Sequence, residues 1–288
     1  DGTLRAEKGE VVDTITSGPD GKAVTKELYL GSYEVIETKA PVPMVLNSEP
    51  RQVRLAYAGQ EVALTEAHTS IYNERQRAKI SLEKTMEQNE AFGIGGNGEV
   101  THVTFGLYAA RDLTAADGSV IPADGLIEIL SVSADGGAAV QTDLPPGEYY
   151  LRERATDAHY FLSDEKYPVV FAYAGQERES VEIKANQGEA VENSLIYGSV
   201  SGKKTDAEGG ALHGACVGLF SPDAEEFTEE TAIRMTISSE GGEFRFDDIP
   251  YGNWIIREIA PPEGFTLCTD LFEITISEDM QAVEFVIV

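Results

Sequence analysis

Three polar residues, Lys84, Glu153 and Asn193, occupy strand-like segments at positions that should face a protein core. Side chains alternate between the two faces of a strand, so residues two apart share a face. The apolar residues on these faces are Ile80 and Leu82, Tyr149 and Leu151, and Val191 and Leu195, respectively. A lysine, a carboxylate and a carboxamide are therefore predicted to be buried in one region of the chain.

Burial changes the chemistry that these three groups can do. It raises the pKa of a glutamate and lowers the pKa of a lysine, because it disfavours charge. A neutral Lys84 amine is a nucleophile, the Asn193 amide an electrophile, and protonated Glu153 a proton shuttle. The predicted product is a Lys–Asn isopeptide bond, with release of ammonia in a single turnover that proximity assists. The alternative is a structural Glu153, exposed at a strand end or paired with the lysine.

The glutamate motif occurs three times, which indicates internal duplication. The copies are G-S-Y-E-V-I-E (residues 31–37), G-E-Y-Y-L-R-E (147–153) and G-N-W-I-I-R-E (252–258). A second string, A-Y-A-G-Q-E, occurs at 56–61 and 172–177. Its offset of 116 equals the offset between Glu37 and Glu153 (153 − 37 = 116). Two separate motifs with one shared offset predict a repeated domain.

The second and third units share further segments. T-F-G-L-Y (104–108) matches C-V-G-L-F (216–220), and I-S-L-E-K-T (80–85) matches V-S-G-K-K-T (200–205). In the last segment, alternation places Lys204 rather than Lys203 on the inward face. An acidic residue followed by glycine precedes each glutamate motif and predicts a hairpin turn. These pairs are Asp20-Gly21, Asp135-Gly136 and Glu240-Gly241.

The rest of the sequence consists of short alternating segments that are interrupted by Gly, Pro, Asp and Asn. This pattern predicts an all-β fold of tandem Ig-like or prealbumin-like β-sandwich domains in an elongated array. Residues 225–235 are interpreted as one short helix. The expected domains are 1–76, 77–196 and 197–288, the first and last of them incomplete.

These motifs, in this order, resemble the tandem Cna-B-type (SpaA-like, prealbumin-like) domains of Gram-positive surface adhesins and pilins. That family has a first-strand lysine followed by Thr-Asp, as at residues 204–206, a G-x-Y-x-L-x-E strand, and a last-strand asparagine. The resemblance covers essentially the whole chain, although Thr-Asp at 156–157 replaces the usual Ala-Pro. It implies an intramolecular isopeptide bond in a cell-wall-anchored stalk or pilus shaft.

The terminal units depart from the family pattern. The first has Glu37 and Asn73 but no first-strand lysine. We expect it to expose an unpaired sheet edge and an apolar groove that accepts a supplied strand. The third has Lys204 and Glu258 but no asparagine in its final strand. Only the second unit is expected to form the bond from residues present here.

Composition restricts the classes of partner and site. Lys and Arg total 22 against 50 Asp and Glu, and the net charge of −28 argues against nucleic-acid binding. No apolar run is long enough to span a bilayer. Cys216 and Cys268 are too few for a disulfide framework; both are predicted to face outward, either paired or as free thiols. No metal or cofactor site is predicted. The four histidines are expected on the surface or in turns: His68, His102, His159 and His213.

The predicted function is mechanical. The chain is interpreted as an extracellular, cell-wall-attached stalk or shaft segment of a Gram-positive adhesin or pilin, with neighbouring domains as its partners. The alternative is a carbohydrate- or host-matrix-binding module on the same fold, which an exposed aromatic platform would favour. Tyr149 and Trp254 are predicted to face inward and Tyr150 outward. No motif of a turnover enzyme is found.

Overall fold

The computed structural model describes residues 3–288, and the regular structure in them consists of strands and three short 3-10 helices. The predicted all-β class is therefore confirmed. The chain divides into two compact units, Asp1–Gln76 with Tyr173–Glu179, and Arg77–Ala172 with Ser180–Val288.

The first unit contains one antiparallel sheet of two strands, β1 (Gly31–Val35) and β2 (Arg51–Leu55). Within residues 3–76, the buried side chains are those of Ala40 and Gln76. No second sheet in these residues covers the β1–β2 pair. The β-sandwich predicted for 1–76 is thus represented, in the described residues, by a single two-stranded sheet.

The second compact unit contains two successive sets of strands, which correspond to the second and third sequence repeats. The first set is β3 (Arg77–Met86), β4 (Thr104–Ala109), β5 (Leu113–Thr114), β6 (Val120–Ile121), β7 (Leu126–Ser131), β8 (Gly137–Thr142), β9 (Gly147–Ala155), β10 (Lys166–Phe171), β11 (Ser180–Lys184) and β12 (Val191–Asn193). The second set is β13 (Tyr197–Lys204), β14 (Cys216–Phe220), β15 (Arg234–Ile237), β16 (Glu243–Pro250), β17 (Gly252–Ala260), β18 (Phe272–Ile276) and β19 (Ala282–Ile287). The 3-10 helices are Glu90–Phe92, Glu99–His102 and Ala185–Gly188.

The two sets repeat one topology. The first has a sheet of order β10-β9-β4-β7, and a second sheet in which β3 pairs with β8, β11 and β12. The other set has sheets of order β18-β17-β14-β15 and β16-β13-β19. In both, the strand that carries the inward lysine runs parallel to the last strand, β3 beside β12 and β13 beside β19. Buried apolar side chains of both sets form one core, in which Phe92 meets Trp254 edge-to-face.

The internal duplication extends to strand register. Tyr33 lies opposite Val53 in β1–β2, as Tyr149 lies opposite Val169 in β9–β10. Their burial differs, because Tyr149 and Val169 are each 1% exposed while Tyr33 and Val53 are half-buried. The β9–β10 pair is covered by a shared core that β1–β2 lacks. The first unit therefore has a partly exposed apolar face; that this face accepts a strand stays a prediction.

The helix predicted for residues 225–235 is wrong. Residues 225–233 form turns and irregular structure, and β15 begins at Arg234, which lies opposite Leu219 of β14. The segment R-M-T-I alternates in exposure and pairs along the sheet edge. Pairing with β14 therefore prevails over the helical preference of the acidic residues before it.

The predicted turns are present, but they do not close hairpins. The turns at Asp135-Gly136 and Glu240-Gly241 join strands of different sheets, β7 to β8 and β15 to β16. At Asp20-Gly21 a turn closes through the Gly21 N–H and the Gly18 carbonyl (2.9 Å), and no strand adjoins it in the described residues. The hairpin prediction is wrong because turn chemistry is local and does not specify which strand the next segment pairs with.

Candidate functional site

Lys84 lies in the buried row of β3. Exposure alternates along the strand, so that Ile80, Leu82 and Lys84 are buried together, as predicted. Lys84 is 3% exposed, and its Nζ donates to the carbonyls of Thr85 (2.6 Å) and Val191 (3.0 Å). The main chains of β3 and β12 therefore hold the amine between them.

A glycine turn supports the main chain of this lysine. The Lys84 N–H donates to the Gly136 carbonyl (2.8 Å), and a Cβ on residue 136 would lie 2.4 Å from the Lys84 carbonyl oxygen. Gly136 also has a left-handed φ of +86°. Lys204 and Gly242 repeat the arrangement, with an N–H to carbonyl distance of 2.7 Å. Both turns require glycine because the lysine strand passes directly against them.

Glu153 occupies the buried end of β9. It is 3% exposed, and its Oε2 accepts the main-chain N–H of Ser163 (2.8 Å). Both carboxylate oxygens also accept from Asn193 Nδ2, at 2.8 and 3.0 Å. The predicted carboxylate and carboxamide are thus in direct contact.

Asn193 ends β12 opposite Met86, two residues beyond the level of Lys84 on the parallel strand β3. It is 2% exposed, and its Nδ2 also donates to Thr156 Oγ1 (2.9 Å). Its Oδ1 is buried and has no hydrogen-bond partner in the described residues. The sequence did not predict the roles of Thr156 and Ser163. In the sequence, Thr156 stands out only because it departs from the family pattern. Ser163 contributes a main-chain N–H, and no side-chain motif indicates such a role.

Burial shifts both titratable groups towards their neutral forms. It lowers the pKa of Lys84 to about 8, although the charges of Glu153 and Glu192 oppose the shift. It raises the pKa of Glu153, against the hydrogen bonds from Ser163 and Asn193 and the charge of Lys84. A neutral amine and a protonated acid are the forms that amide formation needs.

The third sequence repeat, within residues 197–288, brings together a lysine and a glutamate without an asparagine. Lys204 is buried and Lys203 exposed, as predicted. Lys204 Nζ lies 3.3 Å from Glu258 Oε1, and Glu258 Oε2 accepts the N–H of Cys268 (2.7 Å). β19 places Ile287 opposite Lys204. The described residues of this domain therefore form a buried ion pair in place of an amine–acid–amide cluster.

The first unit brings together a glutamate and an asparagine without a lysine. Glu37 Oε2 accepts the Asn47 N–H (2.8 Å) and Asn73 Nδ2 (2.5 Å), and Glu37 and Asn73 are both half-buried. The lysines of residues 3–76 are all exposed: Lys8, Lys22, Lys26 and Lys39. In all three units the glutamate accepts the main-chain N–H of the residue ten positions later.

A family model describes the repeated units. The model of the SpaA prealbumin-like fold domain matches residues 3–68, 95–187 and 198–288, which is most of the chain. The chain belongs to this family. The resemblance inferred from the motifs is thereby confirmed, as is the prealbumin-like fold. No curated protein matches the sequence of this SpaA-type chain.

Solved structures resemble the SpaA-type chain to different degrees, at low sequence identity. The Bacillus anthracis TIE protein is 18% identical with a TM-score of 0.65, over 95% of this chain and 44% of that chain. A streptococcal ancillary pilin is 18% identical with a TM-score of 0.32, over 94% and 78%. A C-terminal fragment of the pilus adhesin SpaC from Lactobacillus rhamnosus GG is 13% identical with a TM-score of 0.43, over 69% and 82%. The chain thus has the fold of the TIE protein and spans less than half of its length.

An aromatic side chain anchors the start of each glutamate motif in the SpaA-type units. The Tyr33 hydroxyl, the Tyr149 hydroxyl and Trp254 Nε1 each donate to the carbonyl four residues earlier, at 2.6, 2.5 and 2.8 Å. Tyr149 and Trp254 are 1% and 7% exposed, so their predicted inward orientation is confirmed. The buried ring thus satisfies its polar atom locally while it fills the core.

Tyr150 faces away from the core, as predicted, but it is only 5% exposed. Its ring stacks on Tyr108 with 5.2 Å between centroids, and Lys166 Nζ lies 4.2 Å from its centroid. Its hydroxyl donates to Asp124 (2.6 Å). The platform that a carbohydrate- or matrix-binding module needs is therefore not open at Tyr150, because neighbouring side chains cover the ring.

Cys216 and Cys268 are both free and partly buried, so the free-thiol alternative describes the structure. Burial raises the pKa of the Cys216 thiol. Cys268 packs against the core, so its predicted outward orientation is wrong. The cause is its main-chain bond to Glu258, which fixes residue 268 beside the buried carboxylate.

Asp157 joins two histidines that are far apart in the sequence. His102 Nδ1 lies 2.6 Å from one carboxylate oxygen and His159 Nδ1 2.5 Å from the other. Burial alone would raise the pKa of Asp157, but these hydrogen bonds outweigh it and lower the pKa. Within residues 3–288, no group of three His, Cys, Asp or Glu is arranged to hold a metal ion. No helix in that range is long and apolar enough to cross a membrane.

Proposed function

We propose that this chain is a structural stalk or shaft segment of a cell-wall-attached Gram-positive adhesin or pilin, and that an isopeptide bond between Lys84 and Asn193 closes its second domain. The observation that supports this proposal is the burial of Lys84, Glu153 and Asn193 in one cluster. The SpaA-family match supports a structural role rather than a turnover reaction. In this proposal the domains are 1–76, 77–196 and 197–288, and each acts on its neighbours in the chain.

The reaction uses three side chains and needs no cofactor. Protonated Glu153 hydrogen-bonds the Asn193 amide oxygen after the amide rotates and exchanges Nδ2 with Oδ1. Neutral Lys84 Nζ then attacks Cγ of Asn193, and Glu153 transfers a proton from Nζ to the departing Nδ2. One C–N bond forms, another breaks, and one ammonia leaves. The unpartnered, buried Oδ1 is the oxygen that the acid would stabilise.

The bond would join the first and last strands of the second domain. β3 and β12 already lie side by side in parallel, with Val191 opposite Lys84, so the link would join adjacent strands. Closing the loop between residues 84 and 193 would remove unfolded-state entropy worth roughly 4–5 kcal/mol, by analogy with a disulfide. A pull applied at the two ends of the domain would run through the link and not through β4, β7 or β9. Such a bond also resists reduction, which suits a chain with two free cysteines.

The other units hold parts of the same cluster. Lys204 and Glu258 are the counterparts of Lys84 and Glu153, and within this chain they act as a structural ion pair. Glu37 and Asn73 are the counterparts of Glu153 and Asn193. Neither unit completes an amine–acid–amide set from residues 3–288, so a single bond is proposed.

The intact mass of the purified chain tests the proposal. A deficit of one ammonia is expected, and peptide mapping should place it in a branched peptide that links Lys84 to Asn193. Glu153→Gln and Lys84→Arg should each restore the full mass. Lys79→Arg, on the exposed face of the same strand, is the matched control and should keep the deficit. A full mass for the unmodified chain, after prolonged incubation, would overturn the proposed bond.

A further inference from the structure

The second A-Y-A-G-Q-E string forms a loop that docks within the first compact unit, to which Tyr173–Glu179 belongs. Gln176 accepts the Ala40 N–H at its side-chain Oε1 and the Leu46 N–H at its main-chain carbonyl, both at 2.9 Å. The Tyr173 hydroxyl donates to the Met44 carbonyl (3.1 Å). The tyrosine and the glutamine of the string thus bind main-chain groups of residues 38–46.

Gln76 contacts the opposite side of this loop. Its Oε1 accepts the Ala174 N–H (2.8 Å), and its Nε2 donates to the carbonyls of Gly175 (3.0 Å) and Arg178 (2.7 Å). Gln76 and Ala40 are 2% and 4% exposed. Because buried polar groups need partners, the match between loop and surface is specific.

The first copy of the string, at residues 56–61, has the same loop conformation but no such surface. Gly59 and Gly175 have φ of +115° and +98°, and each carbonyl accepts the N–H three residues later, at 3.3 and 3.4 Å. Tyr57 is 68% exposed. Within residues 3–288, the side chains of Tyr57 and Gln60 make no hydrogen bond. The loop is therefore preformed for an interaction that the described residues do not provide.

We propose that residues 56–61 dock, through Tyr57 and Gln60, onto the end of another prealbumin-like domain. The partner domain must offer the groups that residues 38–46 offer to the loop at 172–177. These are two main-chain N–H groups to bind Gln60 and one main-chain carbonyl to bind the Tyr57 hydroxyl. A carboxamide placed like that of Gln76 would complete it. This inference does not rest on the Lys84–Asn193 bond.

The end of the third domain does not meet this requirement. Glu258 corresponds to Glu37, so Pro261 corresponds to Ala40. Proline has no N–H, and the bond that Ala40 makes to Gln176 cannot form there. The partner is therefore a prealbumin-like domain with a residue other than proline at this position, and not the third domain of a second copy.

Residues 38–46 of this chain can serve as the docking surface in a test, once the contacts that the loop at 172–177 makes with them are weakened. The acceptor is the full chain with Tyr173→Ala and Gln176→Ala, which frees the Ala40 N–H and the Met44 carbonyl and leaves the Leu46 N–H bonded only to the main chain of residue 176. The donor is the full chain with p-benzoylphenylalanine in place of the exposed Val62, the counterpart of Arg178, so that Tyr57 and Gln60 stay intact. After irradiation, mass spectrometry should map crosslinks to residues 38–46 of the acceptor. The intact chain as acceptor should give few crosslinks.

A second substitution separates docking from non-specific contact. Gln60→Ala in the donor should lower the crosslink yield roughly tenfold, because it removes the side-chain hydrogen bonds that Gln176 makes in the second copy. Glu66→Ala, at an exposed position outside the string, should leave the yield unchanged. Hydrogen exchange of the β1 amides checks that the acceptor remains folded, and Gln176→Ala alone is the milder acceptor if it does not. Equal yields with intact and vacated acceptors, or an unchanged yield with Gln60→Ala, would overturn the proposal.

Discussion

Lys204 Nζ lies 3.3 Å from Glu258 Oε1, and the two side chains are 3% and 0% exposed. Their counterparts in the second repeat do not form such a pair, because Lys84 Nζ donates to main-chain carbonyls and Glu153 accepts from Asn193 Nδ2. The presence of the asparagine thus coincides with a different use of the same lysine and glutamate. The third domain depends on each charge to compensate for the burial of the other.

Glu258→Gln should destabilise the third domain by about 3–5 kcal/mol, because it leaves Lys204 buried and charged without a counter-ion. Urea unfolding, followed by hydrogen exchange in β13 and β17, would measure the loss. Glu263→Gln, at an exposed position, is the control. The double substitution Lys204→Met with Glu258→Leu should recover most of the stability. If the single and double variants were equally unstable, the ion-pair explanation would be wrong.

The stability of the Glu153→Gln variant should rise with pH. This variant cannot use the acid, so Lys84 stays a buried free amine. Burial lowers the pKa of Lys84 from 10.5 to about 8 when Glu153 is present, and loss of the Glu153 charge, which raises this pKa, should lower it further. Between these values the native state binds fewer protons than the unfolded state, so the free energy of unfolding increases with pH. The expected rise is on the order of 2 kcal/mol, present at high pH and absent below the folded pKa.

The comparison for this pH series is the variant that also carries Lys84→Met. All other titrating groups are the same in the two variants, so the difference between their stability curves isolates Lys84. Denaturant unfolding at several pH values would supply both curves. Parallel curves would show that burial does not shift this lysine.

Gly136→Ala should destabilise the second domain and slow formation of the amide. Its Cβ would lie 2.4 Å from the Lys84 carbonyl oxygen, in addition to the strain of a left-handed φ. Gly118→Ala is a matched control, because Gly118 has a φ of +84° and open space around it. The control should cost about 1 kcal/mol, and Gly136→Ala at least about 2 kcal/mol more. Thermal unfolding of both variants, with the intact mass after refolding, tests the difference; equal costs would contradict it.

Thr156→Val should slow the amide-forming step by up to roughly tenfold. The Thr156 hydroxyl lies 2.9 Å from Asn193 Nδ2, so after the amide rotates it can donate to Oδ1 beside protonated Glu153, and valine removes that donor from a buried oxygen. The readout is the half-time of ammonia loss after refolding from denaturant. Thr156→Ser keeps the hydroxyl and should restore the rate. A slow serine variant would indicate a packing role instead.

The sequence predicted well what depends on the period of a strand. Ile80, Leu82 and Lys84 share a buried face because alternation is a property of the strand itself. It predicted poorly what depends on partners distant in the chain. The turn at Gly136 joins two sheets, and β15, which begins at Arg234, pairs with β14, because strand pairing depends on the whole core.

The candidate site divides in the same way. Lys84, Glu153 and Asn193 could be found as polar residues on apolar faces. Thr156 contributes a hydroxyl from an irregular segment, where no periodicity indicates the direction of its side chain. The contact of Asp157 with His102 could not be predicted, because it joins segments 55 residues apart that share no periodic pattern.

The main-chain bond that each glutamate receives has an evolutionary consequence. Glu37, Glu153 and Glu258 each bind the N–H ten residues later, and the donor residues there are Asn47, Ser163 and Cys268. Every amino acid except proline carries that N–H. Mutation can therefore change the side chain at this position without releasing the carboxylate, which leaves the copies free to diverge in sequence while the geometry around the glutamate is inherited intact.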